Sequence, residues 1–447
     1  MRRNTDGIVE APGRLPLLGH AVPLARRPVD FLVSLAGIDR IVRVRLGSVP
    51  VSYVADPGLV HELLTVHAAS LEKGRFFDKA RPLLGDGLVT SSGALHRRQR
   101  RLCQRAFTAT ALNGYLPVME GNARRLVGTW RAGRPLTMSE VLDEFTLRTV
   151  VDTMFSADLP SATLDAVRRL LPTVLKGTIR ATLAPGFWSR LPTPGNRRFR
   201  SASAGLRAVF ERAVREQSPA GGAQAGGLLP LVLADGGHGG EEAMDPAQAC
   251  DELITFLAAG YETTSSALGA LFYELNRHPA VEERVHEELD RVLSDGPVTE
   301  SALAQLHYTR QVVTETLRLH APPWILMRRN VTALRFGGHH FPVGTEFLFS
   351  PQALHRDPRS YADPLSFDPD RWRTAGPRDM PPGAWLPFGA GRRSCIGAAF
   401  AQAEMMVFVA TACRRWRLVE RPPTVHAPLY RAVARFPRLR LTPEPRA

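Results

Sequence analysis

One cysteine of this 447-residue chain is set where its sulfur could do chemistry. Residues 388–397 read Phe-Gly-Ala-Gly-Arg-Arg-Ser-Cys-Ile-Gly, so Cys395 follows two arginines and stands among Gly389, Gly391 and Gly397. Residues without a Cβ let a backbone bend and come close to a flat ligand. The run Ala398 to Ala412 is rich in Ala, Met, Gln, Glu and Phe and is predicted to be helical, which puts the sulfur at the positive end of a helix. That field favours thiolate over thiol. Arg393, two residues before the sulfur, is placed to reach an anionic edge of such a ligand. The chemistry suggested is ligation of iron by a thiolate; the plain alternative is a small buried apolar side chain.

Three further groups of residues have spacings that could matter. The longest predicted helix starts with Asp245 as N-cap, Pro246 in the first turn and Gln248 three beyond the cap. It can continue to about Asn276, roughly 30 residues or about 45 Å by helical rise. Phe256-Leu257-Ala258-Ala259 is apolar almost all round, so this helix should be central. Ala259-Gly260-Tyr261-Glu262-Thr263-Thr264 then places a glycine, which costs up to about 1 kcal/mol relative to alanine in a helix, beside an acid and two hydroxyls. Without a ligand this would be a kinked helix whose Thr263 bonds back to an upstream carbonyl. His96-Arg97-Arg98-Gln99-Arg100-Arg101 opens a helix running to about Phe107, with His96 and Arg100 on one face; as a charge run alone it is a solvated face. Glu315 and Arg318 lie three apart on a helix from Gln305 to His320 that Ala321-Pro322-Pro323 ends, and Phe367-Asp-Pro-Asp-Arg371-Trp372 follows.

In this order the motifs resemble those of the cytochrome P-450 monooxygenases. Phe-x-x-Gly-x-Arg-x-Cys-x-Gly is similar to that family's haem-binding loop, which implies Cys395 as axial ligand of haem b (iron protoporphyrin IX) and Phe388, Arg393 and Gly397 as cofactor contacts. The resemblance implies that Gly260 makes room for dioxygen, Thr263 hydrogen-bonds to it and Glu262 feeds protons. Where the family usually has Trp-x-x-x-Arg, this chain has His96 and Arg100, implied to hold one propionate with histidine in place of tryptophan. Arg328 or Arg329 should supply another contact, and the spacing to Gly337-Gly338 favours Arg328. Glu315, Arg318 and Arg371 are implied to form a buried brace for the cysteine loop. The implied fold is mainly α with a smaller β-rich part: a single haem-thiolate domain over 1–447, performing monooxygenation with electrons from a separate ferredoxin and ferredoxin reductase.

The rest of the chain supports the positioning of these groups. Hydrophobic content of 44% and charged content of 22% allow a large core. The formal charge of +14 comes almost wholly from scattered arginines, the lysines being Lys73, Lys79 and Lys176, and no nucleic-acid-binding motif is present. Cys103, Cys250, Cys395 and Cys413 form no C-x-x-C pair, which suits a reducing cytosol. The start of the chain shows no long apolar stretch, so no signal peptide or membrane anchor is expected, and the protein should be a cytoplasmic monomer. Residues 1–30 are a proline-rich lead-in; helices are predicted at Pro28–Ala36, Pro57–Val66 and Pro279–Leu293, and a hairpin at 41–54. Residues 72–95 read as a loop with buried anchors, Ile179 to Pro194 as a helix–loop–helix cap, 218–240 as a mobile Gly-rich loop, and Ala427 to Leu441 as a hairpin with its tip near Leu429-Tyr430.

A guest would meet Phe77, Leu84, Leu88, Val89, Leu183, Phe256, Ala259, Gly260, Ile325, Leu326 and Leu429, a lining with little charge that implies a small apolar molecule. Phe77-Asp78-Lys79-Ala80-Arg81 and the His96 run resemble actinobacterial terpenoid oxygenases, which implies a terpenoid, sesquiterpene-sized guest of secondary metabolism. A fatty acid or polyketide guest, peroxide-driven chemistry and a haem sensor that never turns over are the competing readings. Arg97, Arg98, Arg101, Arg392, Arg414 and Arg415 are expected to form a basic dock for an acidic ferredoxin.

Overall fold

The structure, a computed structural model, describes residues 7–155, 161–183, 191–216, 227–233, 243–294, 296–422 and 424–446. It resolves into two compact units.

The first unit comprises Met1–Arg75, Tyr308–Cys395 and Pro428–Arg435. Its centre is a six-stranded sheet in the order Val9–Glu10, Ile41–Leu46, Val49–Val54, Glu346–Phe349, Leu326–Asn330, Leu71–Glu72. The predicted hairpin pairs Ile41 with Val54 and Leu46 with Val49. Side chains alternate across a strand, and both faces are covered here. Ile41, Val54, Phe347 and Phe349 join one apolar cluster, whereas Val42, Val44, Val51, Tyr53 and Leu348 join another. Sheets buried on both faces need apolar side chains on either side, and here only Arg43 and Arg45, with Ser52 and the turn residues, interrupt the apolar run. Pro28–Ala36 is a helix with proline in its first turn that buries Val29, Leu32 and Leu35. His307–Leu319 is the helix that carries Glu315 and Arg318, both fully buried.

The second unit comprises Phe76–His307, Ile396–Ala427 and Phe436–Ala447 and is built mainly of helices. At its heart lies Pro246–Arg277, 32 residues long, with the Asp245 side chain accepting from Gln248 N at 2.9 Å. This cap satisfies one of the orphan amides of the first turn. The central helix packs against Met138–Met154 and Pro194–Glu216, and Ala398–Cys413 runs beside Ala109–Val127. A small sheet joins Trp416–Val419, Arg440–Pro445 and Leu136–Thr137.

Some expectations need correction. Arg75–Leu84 is a helix, not a loop. Its glycines mark the ends: Gly85 takes φ +58 and its amide donates to Arg81 O at 2.8 Å, the left-handed closure that suits a residue without a side chain. Within 218–240, Leu228–Leu233 is a short helix, and the remaining positions other than Gly227 lie outside the described residues. The cap predicted at Ile179 to Pro194 is bounded by the helices Ser161–Leu183 and Pro194–Glu216, and Phe187 and Trp188 lie outside the described residues. Leu429–Tyr430 pairs with Ala434–Arg435, so the tip is at 431–433 and Leu429 is a strand residue. Among the described residues, no helix is long and apolar enough to cross a membrane.

Candidate active site

The cysteine segment of the first unit is a tight arch. Cys395 N donates to Phe388 O at 2.8 Å, Ser394 N to Gly391 O at 3.0 Å and Gly389 N to Leu386 O at 3.1 Å. Gly391 takes φ +67, and a Cβ there would sit 1.9 Å from Leu64 O, so the arch is pressed against the helix Pro57–Thr65 where no side chain fits. Cys395 is exposed, unlike the chain's other cysteines. Burial pushes the Cys103 thiol well up and the Cys250 thiol to about 11, which keeps both protonated and inert. The helix Ala398–Cys413 begins three residues after the sulfur.

Behind the arch, the sequence-predicted cations are sorted by their neighbours. Arg329 is ion-paired with Glu72 at 2.6 Å and lies 3.8 Å from Glu346. Arg328, on the same strand, donates to Met327 O at 2.7 Å and lies 5.7 Å over the Phe349 ring. It is 3% exposed, and burial, then the neighbouring Arg393 charge, pulls its guanidinium down to about 10. A buried guanidinium thus lies near a second, half-buried one.

Glu315, Arg318 and Arg371 are brought together. Arg318 grips Glu315 through two bonds of 2.7 and 2.8 Å and donates to the carbonyls of His355, Pro364 and Ser366. Arg371 Nε reaches Glu315 Oε1 at 3.5 Å, Trp372 Nε1 donates to Glu315 Oε2 at 2.8 Å, and Asp368 N donates to Oε1 at 3.1 Å. Sequence reasoning gave His355 little weight, yet it links this cluster to the arch. Its Nδ1 meets Arg318 O at 2.8 Å, and its Nε2 accepts from Leu386 N at 2.7 Å. Burial holds the ring's pKa at about 3, so it is neutral, with the Nδ1–H tautomer that this pair of partners demands.

In the second unit the central helix is buried along most of its length, but Ala259 is exposed and Phe256, Gly260, Glu262 and Thr263 are half-buried. Phe256, Ala259, Gly260 and Thr263 recur at i, i+3, i+4 and i+7 and so share one accessible face. Gly260 has a packing reason as well: a Cβ there would come within 3.0 Å of Val150 on the neighbouring helix. Thr263 Oγ1 donates to Ala259 O at 2.6 Å, the back-bond that sequence alone left as an alternative. His96 is buried and Arg100 half-buried, one turn apart on the helix Gly93–Gln104. Gly397 and Phe400, which follow the cysteine, lie against Phe107.

The apolar candidates are scattered in character. Leu84 belongs to the main cluster of the second unit, with Val89 and Phe256 packed against it, and Leu88 is buried. Phe77 is half-buried and edge-on to Phe76. In the first unit Ile325 and Leu326 are half-buried, while Leu429 is 43% exposed. Leu183 ends the helix Ser161–Leu183, and its side chain lies outside the described residues. Sequence reasoning also passed over Glu404, a fully buried acid whose carboxyl burial pushes far above its usual range.

Comparison with known proteins places this geometry. A family profile described as Cytochrome P450 matches residues 10–436. The chain is 41% identical to cyclooctat-9-en-7-ol 5-monooxygenase of Streptomyces melanosporofaciens, over 93% of this chain and 90% of that one. It is 35% identical to pentalenene oxygenase of Streptomyces avermitilis, over 99% of each. A crystal structure of the cytochrome P450DA heme domain superposes with a TM-score of 0.88 at 25% identity, over 98% of each chain. The chain belongs to the cytochrome P450 family. It is a monooxygenase of that family with haem b as its cofactor. The residues present fit that group. The Arg328 guanidinium, buried beside the Arg393 charge, suits the carboxylates at a porphyrin edge, and the arch presents its one accessible thiol.

Proposed function

We propose that this monooxygenase oxidises a cyclic terpenoid of bacterial secondary metabolism and acts as one haem-thiolate domain, with Cys395 as the residue whose thiolate would hold the haem iron. The observation that carries the site assignment is the arch: an exposed thiol at a glycine-pinned turn that also carries Arg393, whose charge bears on the buried Arg328 guanidinium. In this reading Arg328 and Arg393 hold one propionate, and His96 and Arg100 hold the other. Haem supplies the reductive activation of dioxygen when bound. The protein's part is to orient, to exclude water and to move protons. The accessible face of Phe256, Ala259 and Gly260 leaves room beside the helix. The Thr263 hydroxyl, by turning from Ala259 O, offers a hydrogen bond there, and Glu262 one residue away hands on protons. Glu315, Arg318, Arg371 and His355 keep the arch in place.

The substrate class is supported by the relatives' names and by the apolar lining. One relative is named for oxidising cyclooctat-9-en-7-ol, an unsaturated alcohol by that name, and another for pentalenene. The guest is therefore read as a sesquiterpene hydrocarbon or, as a second form, an already hydroxylated cyclic terpenoid. Electrons are read as coming from a ferredoxin and its reductase.

Two measurements test this. Reduced protein with carbon monoxide should show the strongly red-shifted Soret band of thiolate ligation, absent in Cys395→Ala; a variant that keeps the band removes Cys395 from the role. Cyclic terpene hydrocarbons and alcohols should shift the ferric spin state. A shift with long-chain fatty acids and none with either terpene series would overturn the substrate class.

A further inference from the structure

Two carboxylates on the central helix take no part in the assignments above. Asp251 accepts from Asp86 N at 2.8 Å, and Glu252 accepts from Leu88 N at 2.9 Å. Their partners lie in the segment 85–88, between the helices Arg75–Leu84 and Gly93–Gln104. The approach is close. A Cβ on Gly85 would sit 2.1 Å from the Asp251 carboxylate, and one on Gly87 would sit 2.1 Å from Thr255 Oγ1 and 2.8 Å from Asp251 O. The segment therefore lies with bare backbone on the helix. Gln99 Nε2 donates to Asp86 O at 2.6 Å, and Thr90 Oγ1 folds back on Gly85 O at 2.7 Å.

We propose that Asp251 and Glu252 are positioning residues for the substrate, fastening residues 85–88 to the central helix and so fixing Leu84 and Leu88 beside the guest. This rests on the reading of Leu84 and Leu88 as guest lining.

The two fastenings differ. Asp251 shares its carboxylate with Arg207 at 2.6 Å. Glu252 is 0% exposed, accepts from the Leu88 amide and has no ion-pair partner among the described residues. Burial, opposed by the Leu88 N–H and assisted by the Asp251 charge, pushes its carboxyl up to about 8. The charged and titratable groups around it are Asp251 on its own helix, Cys103 with Arg100 on the helix Gly93–Gln104, Arg207 beyond Asp251, and Asp86 with its ion partner Arg81 on the segment. At neutral pH Glu252 is thus a neutral acid while the segment is closed, and it ionises when released to water. A raised closed-state pKa means that this contribution to closure is complete below the ordinary value of 4.5. It weakens as pH rises and is lost by about 8, above which closure no longer depends on this group.

Amide hydrogen exchange of the holoenzyme without substrate, read as protection factors over residues 85–91, tests the proposal. Wild-type protection should fall by up to about tenfold per pH unit between about 5 and about 8 and then level off. Glu252→Gln keeps the acceptor but cannot titrate, so its profile should be flat. Glu252→Ala should lose about tenfold or more in protection at pH 6 and raise the KM for the guest with kcat nearly unchanged. A flat wild-type profile, a falling Glu252→Gln profile, or an unchanged KM in Glu252→Ala overturns the proposal; if Glu252→Ala does not retain haem, the glutamine profile decides. The exchange measurement needs no guest, so it can fail or succeed independently of the terpenoid reading, which the spin-state panel judges.

Discussion

Thr263 has one proton to give, and in this structure it gives it to Ala259 O. A hydroxyl rotates freely about its C–O bond, so the same group can satisfy the helix at rest and donate to the accessible face during turnover. Thr263→Ala removes both, and losing the first has little structural cost, because the helix tolerates the loss of a back-bond. Haem content and guest binding should stay near wild type, while product formed per reducing equivalent falls several-fold and peroxide takes its place. Glu262→Gln should slow turnover by about 10²-fold, the low end for a positioned acid–base group. Full coupling in Thr263→Ala would leave only the back-bond and remove both residues from the proton route. At this scale residue type at fixed spacing was enough to group Glu315 with Arg318 and Arg371, which the structure brings together. It was silent on His355, whose role comes from two backbone atoms, Arg318 O and Leu386 N, brought together from distant segments. Nor could spacing explain Gly260 in full, since Val150 comes from another helix.

Between elements, the Glu315 carboxylate ties its helix to residues 368–372, while its partner Arg318 ties the same helix to the carbonyls of His355, Pro364 and Ser366. Arg318 and Glu315 are both 0% exposed, so a missing partner cannot be replaced by water. Removing one side of such a buried pair costs about 3–5 kcal/mol, because the other charge stays behind. Glu315→Gln should therefore lose most of the folded, haem-retaining protein, read as a sharply lowered Tm. Arg371→Ala, whose partner distance is 3.5 Å and whose side chain is 15% exposed, should lose distinctly less. Equal losses would show that the cluster is not organised around the Arg318 pair. Element boundaries were legible where caps and prolines mark them: Pro28–Ala36 and Pro279–Leu293 have their expected limits, and Asp245 caps as its spacing suggested. The helix Arg75–Leu84 was missed because flanking Gly74 and Gly85 read as loop punctuation, when both serve as its ends at positive φ.

Across the whole molecule the formal charge of +14 says less about partners than the fate of individual arginines. Arg98 is bound to Gln248 at 3.0 Å and to Ala243 O at 2.9 Å, and Arg414 donates to Gly296 O at 2.9 Å, so the expected dock loses both to internal work. Arg97, Arg101 and Arg392 remain exposed. Exposed charges are screened within about 10 Å at 0.1 M salt. The association rate with an acidic ferredoxin should therefore fall steeply with added salt, and reversing Arg97 and Arg101 should weaken that dependence. A rate indifferent to salt would exclude electrostatic docking. The paired guanidinium groups of Arg328 and Arg393 carry a consequence of another kind. A buried guanidinium beside a second positive charge opposes the fold that holds it there, and a dianionic cofactor turns the same pair into an attraction. Folded yield is then tied to porphyrin supply. A host cell short of iron or of tetrapyrrole precursor would accumulate this chain as protease-sensitive polypeptide, and feeding the precursor would act on it as a folding chaperone does.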